Sequence, residues 1–243
     1  MASRAFCIPG LLFLVSAFVL NFIVSISLPF LPALDIARTH FPNSDVAYQS
    51  TNNLNEIRFG IWAPCYYNEN DDRTCLKTGH AYDIELTSEV NAEDTAFVKA
   101  SWTRGLAVHP IATAVSFVAL LLGLSTHVTV TLIASLVSFL AALLTFIAFA
   151  IDIALYALVR HEMKDLNVAV NTNTAPGFWL TFVAFILLLL AGCTVCFGRR
   201  RERLANATPA PVVAPLEPAT DSIEKPQKQP FWARFKRDAD SKA

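Results

Sequence analysis

Charge is scarce in this chain: only 16% of its 243 residues are Asp, Glu, Lys or Arg, against about 25% in a typical soluble domain. The deficit points to a membrane composition, as does the 54% share of apolar residues. A formal net charge of -1 excludes the global basic field that draws proteins to nucleic acid. Phosphate loops, Ser/His/Asp arrangements and runs of metal ligands are all missing, so the chain reads as nonenzymatic, with no cofactor expected.

The apolar residues fall into four blocks, each near the roughly 20 residues of helix that cross a hydrocarbon core. They run over about Phe6–Leu28, Leu106–Leu124, Val128–Leu158 and Phe178–Phe197. The first is longer than the roughly 7–15-residue core of a signal peptide, and no small-x-small cleavage site follows a short core, so it reads as an uncleaved span. Arg199, Arg200, Arg201 and Arg203 crowd the end of the fourth block. The positive-inside rule places them in the cytoplasm. Four spans then put both termini inside and leave 35–104 and 160–177 outside. In agreement, the first outer loop holds more acidic than basic residues, and neither loop carries an Asn-x-Ser/Thr sequon. The one sequon, Asn206-Ala207-Thr208, lies in the expected cytoplasmic tail.

Outside the cell the environment is oxidising, and Cys65 and Cys75 are the only cysteines there, so a disulfide between them is expected. Such a crosslink restrains a short loop by about 2–4 kcal/mol. Zinc is a poor alternative because a structural site wants four Cys or His ligands, and only His80 is near. Trp62 is expected to pack on the crosslink or sit at the membrane interface. Gly60 is expected to supply a backbone conformation or a close approach that a side chain would forbid.

In the third block Thr131, Ala134, Ser138, Ala141, Thr145, Ala148 and Asp152 recur at alternating three and four residues. Small and hydroxylated residues so spaced form a seam on which helices pack. Asp152 is its costly member, since a carboxylate there must be paired, protonated or hydrated. His109 opens the second block at a similar depth, so the two are expected to meet as an intramembrane polar pair, with Arg104 as a second partner at the rim. Two readings stay open: a pair that titrates and biases helix packing, because histidine changes charge near neutrality, or a satisfied interhelical hydrogen bond. His40, His80 and His161 are scattered among polar residues of the outer loops and read as solvated side chains.

On the cytoplasmic side Cys193 and Cys196 adjoin the arginine cluster and are candidates for palmitoylation, with burial as small hydrophobes the alternative. Cys7 is similarly placed. The segment 205–243, rich in Ala, Pro and charge, is expected to be a disordered tail. Its "PFWARFKRD" stretch could touch anionic lipid or dock a partner.

Gly60-Ile61-Trp62-x-x-Cys65 followed by Cys75, in the first outer loop of a four-span chain, resembles the signature of the claudin-like superfamily. Within it the chain is most similar to the fungal PalI family, which includes the Sur-type eisosome proteins. "LAVHPIATAVSFVALLL", "SLVSFLAALLTFIAFAIDIALYALVR" and "WLTFVAFILLLLAGCTVCFG" carry the same resemblance. It implies an outer loop able to form a small sheet and no enzymatic activity. One branch is similar to auxiliary proteins of ambient-pH signalling, which support a PalH-type sensor upstream of PacC processing. Another resembles organisers of plasma-membrane domains. The expectation is therefore an all-α membrane protein: a four-helix transmembrane bundle over 1–204, a disulfide-stapled extracellular loop able to form a small β-sheet, and a disordered cytoplasmic tail over 205–243. It would lie in the plasma membrane, with the lipid bilayer and another membrane protein as partners. A role in cell-wall or cortex integrity is a further alternative.

Overall fold

The computed structural model describes residues 2–43, 45–48, 53–125 and 127–207. Among them, four helical stretches are long and apolar enough to cross a membrane, over Pro9–Phe30, Ala100–Gly123, Thr129–Leu166 and Pro176–Thr194. The helices themselves are α1 (Ala2–Phe30), the single turn α2 (Ala100–Thr103), α3 (Val108–Gly123), α4 (Val128–Glu162) and α5 (Pro176–Ala207). Apolar side chains such as Phe22, Ile111, Leu136 and Ile186 remain exposed on them, as lipid-facing positions do. α5 runs past the expected end of the fourth span, and the rest of the expected tail lies outside the described residues.

The chain is not all-α: the outer loop forms sheet, as the resemblance implies it can, and more of it than the all-α expectation allowed. Between α1 and α2 the chain forms β1 (Ala37–His40), β2 (Val46–Ala47), β3 (Leu54–Phe59), β4 (Pro64–Asn68), β5 (Arg73–Cys75), β6 (Ile84–Ser88) and β7 (Thr95–Val98). The connection between α4 and α5 adds β8 (Asn171–Thr174). The strands make two antiparallel sheets, ordered β5-β4-β3-β1-β8 and β2-β6-β7. Alternation explains why polar-looking segments such as β1 and β6 are strands. In β1, Ala37 and Thr39 are buried while Arg38 and His40 are partly open; in β6, Ile84 and Leu86 point in and Glu85 points out.

These inward faces close over the ends of the helices. Ile36, Phe41, Leu54, Ile57, Phe59, Leu86 and Val98 from the sheet region share one core with Val24 of α1 and with Leu155 and Val159 of α4. Met163 and Leu166, on the 3-10 turn after α4, complete it. A second cluster, Leu14, Ala17, Ala119, Ala141, Ala142, Leu188 and Ala191, lies among the helices further from the sheets. Six of the seven seam residues of α4, all but Thr131, are buried. α5 joins α4 through the rings of Phe149 and Phe178, 4.9 Å apart, and through Ser138 Oγ, which donates to the Leu188 carbonyl at 3.3 Å.

Candidate functional site

The junction between sheet head and helices is built on a break in α1. Ser27 and Leu28 leave helical geometry, and Pro29 follows. Proline has no N–H, so the carbonyl four residues back, that of Ser25, loses its helical donor. Trp62 supplies the replacement: its indole Nε1–H donates to Ser25 O at 2.7 Å. One residue earlier, the Ile61 amide donates to Ser27 Oγ at 3.0 Å. Gly60 lies against Leu28 so closely that a Cβ would collide with the Leu28 Cβ. Its φ is not positive, so close approach, not backbone conformation, is what excludes a side chain here. The Gly60-Ile61-Trp62 motif is thus the piece of the head that docks on the broken end of α1.

Cys65 and Cys75 form the disulfide, joining β4 to β5 at directly opposed positions. Cys65 is therefore no zinc ligand. The Trp62 ring tilts against that of His80, with centroids 5.6 Å apart.

Within the helices, His109 Nε2 lies 3.0 Å from Asp152 Oδ1, with the two residues 3% and 0% exposed. The pair ties the first turn of α3 to α4. Arg104 is exposed and does not reach Asp152, whose other oxygen, Oδ2, has no hydrogen-bond partner among the described residues. Polar contacts continue inward. Thr113 Oγ1 donates to the Asn21 carbonyl at 3.0 Å, and Asn21 Nδ2 donates to Ser116 Oγ at 3.3 Å and Thr145 Oγ1 at 3.4 Å. Asn21 thereby connects α1, α3 and α4. Its place inside an apolar run is legible in the sequence only as one polar residue in the first span. Interhelical hydrogen bonds of this type contribute about 0.6–2 kcal/mol each.

A third constellation has no counterpart in the sequence reading. On the outward face of β1 and β3, Arg38 bonds both oxygens of Asp35 at 2.9 Å and lies 3.0 Å from Glu56. Arg58 donates to Glu56 at 2.7 Å and stacks over the Tyr67 ring at 4.3 Å. His40 stands 3.7 Å from Glu56. The Asp35 carboxylate, by its hydrogen bonds, raises Arg38 above the ordinary guanidinium value. Cross-strand register makes the cluster: Arg38 faces Arg58 and His40 faces Glu56, so the like-charged arginine pair shares the Glu56 carboxylate, which offsets their repulsion.

Of the remaining candidates, His161 is exposed and Cys193 is a half-buried free thiol. The side chains of Cys7 and Cys196, and the "PFWARFKRD" stretch, lie outside the described residues.

A model of the SUR7/PalI family matches residues 6–191, which take in the Trp62 dock, the disulfide, the first three apolar spans and most of the fourth. The chain belongs to the SUR7/PalI family. With that membership and its four apolar helices, it is a multi-pass membrane protein of the SUR7/PalI type. No curated protein matches it in sequence.

Proposed function

We propose that this SUR7/PalI protein is a nonenzymatic auxiliary subunit of ambient-pH signalling at the plasma membrane, supporting a PalH-type sensor upstream of PacC processing. Family membership carries the reading. The His109–Asp152 contact adds a place where it could act: a buried ionisable pair joining α3 to α4 just beneath the head, so that a change in its charge changes the cost of holding the helices together. The Cys65–Cys75 disulfide supports a head outside the cell. The arginine cluster after the fourth span supports a cytoplasmic carboxyl end, and both termini lie in the cytoplasm in this reading.

PacC-type processing at alkaline external pH, followed in a strain lacking the protein and in one with the gene restored, tests the proposal. Lost processing that the gene rescues supports it; normal processing refutes it. The family description itself joins PalI to SUR7, which favours organisation of membrane domains as the second reading. Residence of the tagged protein in static cortical patches, with pH signalling intact, would select that alternative.

A further inference from the structure

The head contains a cavity of about 450 Å³ between the β4–β5 end of the larger sheet and the start of β6, within the roughly 300–1,000 Å³ of small-molecule sites. Its inner surface is aromatic. Tyr48, Tyr66 and Tyr82 line it beside Cys75 of the disulfide, and the Tyr48 and Tyr66 rings lie 5.2 Å apart. Lys77, His80 and Asp83 line it too, and all three are exposed.

Although 76–83 is irregular, it is pinned along its length. Leu76 N–H donates to Pro64 O at 3.1 Å and Gly79 N–H to Trp62 O at 2.9 Å. Tyr82 Oη–H donates to Gly60 O at 2.7 Å, and Thr103 Oγ1–H to Tyr82 O at 2.7 Å. With the disulfide holding Cys75, the cavity is preformed, which spares a ligand the ordering cost of a loose loop.

We propose that this cavity binds a neutral saccharide. A pyranose has an apolar face of C–H bonds, which a tyrosine ring covers, and a rim of hydroxyls that both donate and accept. Half-buried Tyr66 offers such a ring. Around the mouth Lys77 only donates, Asp83 accepts, and the His80 imidazole serves either need. One ammonium and one carboxylate balance, so the mouth favours neither a phosphate nor a quaternary amine. Burial raises the Tyr48 phenol, helped by Tyr66 and Asp83 nearby, and burial raises the Tyr82 phenol as well. Both hydroxyls therefore stay protonated at neutral pH, adding no charge. With the head outside the cell, as proposed above, the ligand is an extracellular glycan.

Binding is measured on the purified full chain in lipid nanodiscs, which avoid sugar-based detergents. The probes are neutral gluco-, manno- and N-acetylglucosamine oligosaccharides, followed by saturation-transfer NMR and by tryptophan fluorescence, because the Trp62 ring lies tilted against His80 beside the cavity. At least one probe is expected to bind. The exposed variants Lys77→Ala and Asp83→Ala, which disturb no core, are expected to weaken it about tenfold, as loss of a hydrogen bond to a charged group does. Tyr66→Ala is expected to abolish it, and Glu93→Gln, on a distant turn, to leave it unchanged. No binding across the panel overturns the proposal. So does binding that Lys77→Ala and Asp83→Ala leave intact. Neither result depends on whether the protein acts in pH signalling.

Discussion

Trp62 completes a helix it does not belong to: its indole N–H occupies the Ser25 carbonyl that Pro29, lacking an N–H, cannot serve. Trp62→Phe keeps most of the apolar ring but strands that carbonyl. The carbonyl is part-buried, so leaving it unsatisfied costs about 1 kcal/mol, the low end of the range for a buried acceptor, and the variant should melt earlier. It should also expose the head–helix junction to protease sooner than the wild type. Equal melting and equal proteolysis would show that solvent or another donor reaches Ser25.

Gly60 and Gly79 make a matched pair for testing close approach. At Gly60 a methyl group meets Leu28 and the Ala63 carbonyl, whereas at Gly79 it meets nothing within 4 Å. Gly60→Ala should destabilise by about 1–3 kcal/mol, the usual cost of overpacking. Gly79→Ala should stay within about 0.5 kcal/mol. Thermal melts of both variants in the same detergent give the comparison.

The Cys65–Cys75 crosslink spans a sequence separation of 10. Replacing both cysteines by serine should cost about 2–4 kcal/mol. Reductant should lower the melting temperature of the wild type and leave that of the double variant unmoved. A wild type insensitive to complete reduction would mean that the flanking strands hold the loop without the bond.

Asp152→Ala leaves the buried His109 ring without its partner and should reduce folded yield, by about 1–3 kcal/mol in stability. Asp152→Asn keeps an oxygen for His109 while removing the ionisable carboxyl, so it should fold better than the alanine variant. If the pair takes part in sensing, a normally expressed Asp152→Asn protein should fail to restore pH-dependent processing in a null strain. Full restoration would leave the pair with packing alone.

Tyr82 is the clearest source of alkaline sensitivity. Burial raises its phenol above the ordinary value of 10.0, so above about pH 10 the unfolded chain gives up this proton while the folded chain keeps it. The unfolded state then binds fewer protons and stability falls as pH rises. Tyr82→Phe should flatten melting temperature against pH between about 9 and 11, at the expense of the hydrogen bond to Gly60 O. Part of the slope should survive, because the Tyr48 phenol is raised too.

The four membrane-length helices were legible because a hydrocarbon core demands a run of about 20 apolar residues, a local property that no distant contact is needed to reveal. The Cys65–Cys75 bond followed from there being one cysteine pair on one side of the expected topology. The seam of α4 followed from spacing alone. Tertiary structure decided what depends on partners far along the chain. β8 reads "NTNT", with no apolar alternation, and becomes a strand because β1, from the first loop, offers it a pairing edge. Arg38, Arg58 and Glu56 look like scattered charges until strand register sets them on one face. Asn21 looks like a blemish in an apolar span until Ser116 and Thr145 come within hydrogen-bonding reach. Composition determined where the chain meets lipid, since transfer energies add residue by residue. The head was decided by pairing, because a strand's hydrogen bonds and its buried face exist only once the opposing strand is in place.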